Sequence, residues 1–127
     1  MNLAILRKVD AYVRVATRIL GWILLAIFVA GFCLILWYAS YPSRLKNQIK
    51  LGAVESQVFQ VVGSNPRKTL EASVFCDRYK SALADHCAAI RRSGSVRVHV
   101  WYFGIDTVLA VAVNVSGQAS HVTVFDL

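Results

Sequence analysis

The chain has 127 residues, of which 57% are hydrophobic and 17% charged, and its formal net charge is +7. The basic residues form no dense cluster with interleaved aromatic side chains, which argues against nucleic-acid binding. The net charge divides into +3 over residues 1–18 and +4 over residues 44–127, on either side of an uncharged stretch. Basic residues in such positions are typical of a chain that contacts a membrane.

Residues 1–18 predict an amphipathic N-terminal segment. Apolar side chains recur there every three or four residues, and Arg7, Arg14 and Arg18 fall together on the opposite helix face. Two arrangements fit this pattern. The segment could lie in the membrane interface with the three arginines on lipid headgroups. Alternatively, it could extend the following helix and pack on a neighbouring subunit.

Residues 19–41 predict a transmembrane helix. The run from Ile19 to Tyr38 holds 20 residues without a charge, and about 20 apolar residues span the roughly 30 Å hydrocarbon core of a bilayer. A buried core helix is usually shorter and amphipathic. A cleaved signal peptide has a shorter apolar region closer to the N-terminus. We therefore interpret this segment as an uncleaved anchor.

The anchor carries further signals at its ends and on one face. Aromatic side chains favour the two membrane interfaces, and two small residues four apart permit close helix approach. The residues expected to mark the interfaces or to pack the helix are Trp22, Ala26, Ala30, Trp37, Tyr38 and Tyr41. Four basic residues precede the anchor and three follow it closely. The positive-inside rule therefore favours a cytoplasmic N-terminus, by a small margin.

Pro42 is expected to end the anchor helix, because it lacks an amide donor and disfavours helical angles at the preceding residue. Residues 42–50 then form a short charged linker, and residues 51–127 form one small domain. The first helix of this domain is predicted from about Val54 to Val62. Its apolar positions follow helical spacing, and Gly63 suits the left-handed residue that follows a helix end.

A second helical pattern runs from Thr69 to Ile90 and contains Cys76 and Cys87. In one straight helix these cysteines would be about 16 Å apart, whereas a disulfide requires Cα atoms within about 7 Å. Either the helix is broken between them or they are not bonded to each other. An even pair of cysteines in an exported domain favours a disulfide with a broken helix.

The remaining chain alternates with a period of two, which predicts three strands. They begin near Ser95, Thr107 and Ala119 and are separated by short turns that contain glycine. Consecutive strands with short turns form an antiparallel meander, and the preceding helices are expected to cover its apolar face. The predicted fold class is therefore α+β: one transmembrane helix followed by a small α-α-β-β-β domain with a three-stranded meander.

The sequence contains no pattern that indicates catalysis or a metal site. Its histidines, His86, His99 and His121, lack the spacing to cysteine or carboxylate ligands that metal sites show. Paired carboxylates, a nucleophile elbow and a phosphate-binding loop are also missing from the sequence. We therefore expect no enzymatic activity, no cofactor, no metal, no small-molecule substrate and no nucleic acid.

One side of the first predicted strand has the composition of a protein interface. Arg97, His99, Trp101 and Phe103 share that side, and Phe125 is placed on one side of the last strand. Tryptophan, phenylalanine and arginine are enriched where proteins bind one another, so these five residues are candidates for partner binding. Trp101 fits the core of a small domain better, because aromatic side chains in small domains are usually buried.

Part of the domain resembles a known family. The similarity lies in the pattern Ile49-x-x-Gly52-x-x-x-x-Gln57-Val58-x-x-Val61-Val62-Gly63-x-x-Pro66, followed by the aromatic strand Trp101-Tyr102-Phe103 and then Asn114-x-x-Gly117. In this order these residues resemble the BamE (SmpA/OmlA) domain, over about residues 46–127. The chain departs from the family at Ala53-Val54, where a methionine and a hydroxyl residue are usual, and in having a transmembrane anchor instead of a lipid anchor.

The resemblance implies a periplasmic α-α-β-β-β module that binds other proteins, and hence a bacterial inner-membrane location for the anchor. The sequence thus predicts a non-enzymatic, single-pass accessory or assembly subunit whose partners are the subunits of a membrane protein complex and the lipid bilayer. The alternative is a stand-alone envelope-tethering module that binds lipid or a cell-wall ligand. A third, weaker hypothesis is an enzyme or enzyme inhibitor, by fold analogy alone.

Overall fold

A computed structural model of the chain describes residues 2–81 and 83–127. The chain divides after Ala39 into two compact units. The first contains helix α1, Leu3–Ala39, which has 37 residues and is therefore about 55 Å long. It is long and apolar enough to cross a membrane, and none of its residues is buried.

Helix α1 is continuous across the boundary that the sequence predicts between the amphipathic segment and the anchor. Residues 3–18 therefore have the form of the second arrangement, a helical extension of the anchor. An interfacial position would require a break near Arg18, and the helix has none there. The helix ends at Ala39, two residues before the predicted end of the anchor.

The predicted linker is wrong, because most of it forms helix α2, Tyr41–Gln48. Pro42 lies in the first turn of α2, where an amide donor has no helical partner and its loss costs little. Leu45 and the following Ile49 are buried. Tyr41 packs edge-to-face on Phe103, with ring centroids 5.8 Å apart, so it belongs to the domain and not to the anchor.

Helix α3, Glu55–Val62, lies close to its predicted range. It ends at Gly63, whose φ of 81° is the left-handed conformation expected of that glycine. The hydroxyl residue that would usually cap the helix start is missing. Instead, the Val54 amide donates to Gln57 Oε1 over 3.3 Å, so a side chain from the first turn satisfies one of the free donors.

The segment from Thr69 to Ile90, which has the second helical pattern, is divided among three elements. Strand β1, Lys68–Glu71, comes first, and helices α4, Ala72–Arg78, and α5, Ala84–Arg92, follow. The chain reverses between the two helices, which brings the Cα atoms of Cys76 and Cys87 to 5.6 Å in a disulfide. The predicted disulfide with a broken helix is thus confirmed, and β1 is a further departure from the helical pattern.

The three predicted strands are confirmed as β2, Ser95–Phe103, β3, Thr107–Asn114, and β4, Ala119–Asp126. The sheet has four strands in the order β1-β2-β3-β4, all antiparallel. The additional strand β1 pairs with β2 in a register that places Lys68 opposite Val100. The α+β class therefore stands, with one strand more than the sequence predicts.

Helices cover both faces of this sheet. On one face, Phe75 of α4, Ile90 of α5 and Leu83, directly before α5, pack against alternate residues of the central strands. On the other face, α2 and α3 pack Leu45 and Val58 against the remaining residues. Strand β3 is buried from Val108 to Val113, which explains why it is almost entirely apolar.

Candidate functional site

The five candidate partner-binding residues are divided between the two faces of the sheet. Arg97, His99, Trp101 and Phe103 share the face beneath α2 and α3, as the period of two predicts. Phe125 lies on the opposite face, where it packs against α4. The sequence could not show this division, because it depends on the register of β3 with each of its neighbours, β2 and β4.

Trp101 and His99 are core residues. Trp101 is only 3% exposed and His99 4%. The Trp101 indole donates through Nε1 to the Ser64 carbonyl over 3.1 Å, and Phe59 of α3 packs edge-to-face on both rings. These two side chains are therefore not accessible to a partner, and the interpretation of this face as a free interface is wrong for them.

Phe125 contributes to an aromatic cluster on the other face. Its ring centroid lies 6.2 Å from that of Phe75 and 5.2 Å from that of Tyr79. The Tyr79 and Tyr102 hydroxyls lie 3.2 Å apart in a hydrogen bond. Burial and this bond raise the pKa of Tyr79 above its usual value. Phe125 therefore has an intramolecular packing role.

A polar cluster lies at the start of α3, where the helix meets β2. Arg97 donates to Glu55 Oε1 through Nε over 3.0 Å and also through Nη2. His99 Nε2 lies 3.6 Å from the same carboxylate oxygen, and His99 Nδ1 shares a 2.8 Å hydrogen bond with Thr69 Oγ1. Four residues from three separate segments, His99 among them, thus form one cluster.

Electrostatics in this cluster favour a neutral histidine and an ionised glutamate. Burial lowers the pKa of His99, although the Glu55 carboxylate acts in the opposite direction. Burial alone would raise the pKa of Glu55, but the hydrogen bond and charge of Arg97, together with His99, outweigh it and lower this pKa. The cluster therefore contains one ion pair, Glu55–Arg97, beside a neutral imidazole.

A carboxylate, an imidazole and a hydroxyl in sequence are also the groups of a hydrolytic triad. Here Arg97 neutralises the carboxylate, and the 3.6 Å between Glu55 and His99 exceeds hydrogen-bonding distance. A carboxylate so paired stabilises an imidazolium poorly. The arrangement therefore suits a structural clamp between α3, β1 and β2 better than activation of the Thr69 hydroxyl.

An open groove runs between α2 and α3 on the outer side of the same layer. Its volume is about 440 Å³, and it is lined by Gln48, Ile49, Lys50, Ala53, Gln57, Val58, Gln60 and Val61. Leu51, which is 67% exposed, and Val54 lie in the same chain segment. The groove therefore combines an apolar floor with amide and ammonium groups, and we name it the α2–α3 groove.

A histidine pair links α5 to the edge strand β4. His86 Nδ1 and His121 Nε2 lie 3.1 Å apart, and both side chains are half-buried. Burial lowers the pKa of His121, and the charges of His86 and Lys46 act in the same direction. Sequence reasoning missed this pair, because 35 residues separate its members and neither belongs to a local motif. Within residues 2–81 and 83–127, no third potential metal ligand joins them.

The predicted anchor residues all lie on α1, apart from Tyr41. Trp22, Trp37 and Tyr38 are exposed, at 72%, 59% and 63% respectively, and Ala26 and Ala30 are exposed as well. The candidate headgroup-binding arginines, Arg7, Arg14 and Arg18, line one shared face of α1. Arg14 pairs there with Asp10.

Comparison of the chain with protein-family models, curated proteins and solved structures finds no match. The resemblance to the BamE domain accordingly stays a prediction from the residue pattern.

Proposed function

We propose that this chain is a non-enzymatic, single-pass subunit of the bacterial inner membrane, with a BamE-like periplasmic domain. In this proposal the N-terminus is cytoplasmic, and the domain binds exported parts of a larger membrane protein complex and assists its assembly. The α2–α3 groove is the observation that carries the proposal.

The groove suits a peptide segment of a protein partner. Its floor of Ile49, Val58 and Val61 can bury apolar side chains, and the amides of Gln57 and Gln60 offer both donors and acceptors. Protein interfaces typically combine an apolar centre with a polar rim. The groove is open, so an extended or helical segment could lie along it.

The disulfide supports a location outside the cytoplasm. Disulfides persist in oxidising compartments and are rare in the cytosol, and the Cys76–Cys87 bond joins two helices that cover one face of the sheet. The disulfide is therefore a second argument for a cytoplasmic N-terminus, which the positive-inside rule favours by a small margin.

Copurification tests the proposal. The full chain is extracted from membranes in mild detergent, and the accompanying chains are identified by mass spectrometry. Gln60 is exposed on the groove, so Gln60→Arg adds bulk and charge there without disturbing the core. We expect this variant to lose specific partner chains that the unmodified protein retains.

Ser73→Arg is the matched control, because Ser73 is exposed on α4, which covers the opposite face of the sheet. This variant should retain every partner. A protein that purifies without any other chain would contradict the subunit proposal. Binding of that lone chain to lipid vesicles or to peptidoglycan would then support the envelope-tethering alternative.

A further inference from the structure

Helix α1 carries an apolar seam in the part that precedes its uncharged run. Ile5, Val9, Tyr12 and Ala16 follow one another at steps of four, three and four residues, which is the spacing of the contact positions in a left-handed coiled coil. Ile5 is 60% exposed, Val9 53% and Tyr12 76%. These side chains lie outside the roughly 20 residues that a bilayer can cover, so a protein partner can bury them.

The same spacing continues without interruption into the membrane span. Ile19, Ile23, Ala26, Ala30 and Cys33 continue the steps of three and four. Because α1 has no break, the residues from Ile5 to Cys33 lie along one seam about 42 Å long. Inside the bilayer an apolar face alone does not drive association, but the small side chains of Ala26 and Ala30 permit close packing. A single continuous helix could therefore pack along the whole α1 seam, both in the aqueous part and inside the bilayer.

The charges of α1 lie away from this seam. Arg7 and Arg14 occupy the position opposite it, and Arg14 is paired with Asp10 four residues earlier. Lys8 lies beside the seam. In a parallel pair of identical helices its neighbour on the other helix would be the apolar Val13, and not a charged residue. A second copy of α1 can therefore approach the seam without placing like charges together.

We propose that α1 forms a parallel homodimer with α1 of a second copy of this chain, through the α1 seam. Two copies that insert with the same orientation are necessarily parallel, which aligns each seam residue with its own counterpart. This proposal does not depend on the α2–α3 groove or on the identity of any other partner.

Disulfide scanning in native membranes tests the homodimer. In a full chain with Cys33→Ser, single cysteines are introduced by Ala16→Cys on the seam and by Ala11→Cys on the outer side. Membranes are treated with a mild oxidant, and two forms of the chain with different tags are coexpressed to identify the product. A disulfide requires Cα atoms within about 7 Å, which only seam positions of a parallel pair satisfy.

We expect Ala16→Cys to convert most of the protein to a dimer and part of that product to contain both tags, whereas Ala11→Cys should not give this product. Val9→Cys should repeat the result of Ala16→Cys two steps away along the seam. Equal crosslinking at positions 11 and 16 would indicate random collision and overturn the proposal. The proposal would also be overturned if neither seam position formed a crosslink, or if the crosslinks formed only with a different chain.

Discussion

Helices α2 and α3 lie on one face of the sheet and α4 and α5 on the other, and the two layers are held in different ways. A disulfide joins α4 to α5, above an apolar contact centred on Phe75, which is fully buried. The α2 and α3 layer depends on aromatic packing around Trp101 and on the Glu55–Arg97 ion pair. One layer therefore depends on the oxidation state of its compartment, whereas the other depends on noncovalent contacts.

The largest effect is expected from the noncovalent layer. Trp101→Ala removes a buried indole and leaves the Ser64 carbonyl without its donor, so it should destabilise the domain by about 3–5 kcal/mol. The measurement is chemical unfolding of the full chain in detergent. Trp22→Ala, on exposed α1, is the control and should leave the domain transition unchanged. Equal stability of the two variants would show that α3 does not depend on Trp101.

The disulfide should contribute nearly as much to the opposite layer. It closes a loop with a sequence separation of 11, for which the loss of chain entropy corresponds to about 3 kcal/mol. The Cys76→Ser, Cys87→Ser double variant should lose this stability, and reductant should produce the same loss in the unmodified chain. Cys33→Ser serves as the control, since Cys33 is a free, exposed cysteine. If reductant did not change the unfolding transition of the domain, the α4 and α5 layer would not depend on its disulfide, and the two layers would not differ in this respect.

A smaller effect is expected from the ion pair of the α2 and α3 layer. The Arg97 side chain is 44% exposed and that of Glu55 27%, so solvent screening limits the coupling to about 0.5–1 kcal/mol. A double-mutant cycle with Glu55→Gln and Arg97→Gln measures it. The coupling should shrink in high salt. A coupling as large as the disulfide contribution would mean that charge, and not aromatic packing, holds this layer.

The smallest predicted effect is a loss of stability on acidification, to which each layer contributes one histidine. Folding lowers the pKa of both His99 and His121, chiefly through burial, so below about pH 6.5 the unfolded chain binds more protons than the folded one. The free energy of unfolding should therefore fall as pH decreases from 7 through 6.5 toward the folded pKa values.

His121→Asn should reduce this pH dependence by removing the contribution of the α4 and α5 layer, and leave that of His99 in place. The charges of His86 and Lys46 act on His121, and neither can offset a positive charge on it. The free energy of unfolding is measured between pH 5 and 8 in both proteins. A free energy of unfolding that stays constant or increases as the pH falls would contradict this prediction.

The elements with a clear local period could be predicted, and those formed by tertiary contact could not. Strands β2, β3 and β4 show alternation between glycine turns, and α3 ends at Gly63. Strand β1 has only four residues and forms because it pairs with β2. Helix α2 was not predicted, because Pro42 was expected to end the anchor helix and instead lies in the first turn of α2.

In the candidate site, likewise, the local arrangement could be predicted from the sequence and the tertiary contacts could not. The period of two correctly placed Arg97, His99 and Trp101 on one face of β2. It could not show that α3 covers that face, since Glu55 is 42 residues from Arg97 along the chain. No local pattern relates His86 to His121 either. The cysteines were more informative, because their spacing was incompatible with a straight helix and a disulfide together.

Thiol labelling in cells with an intact inner membrane determines on which side of the membrane the domain lies. Ile105, at the turn between β2 and β3, is 100% exposed, so Ile105→Cys in the Cys33→Ser chain presents an accessible thiol. The Cys76–Cys87 disulfide protects the other two cysteines. In spheroplasts with an intact inner membrane, an impermeant maleimide should label this residue at once, and should label Ala11→Cys in the same background only after permeabilisation. Immediate labelling at position 11 and protection at position 105 would contradict a periplasmic domain on a single-pass anchor.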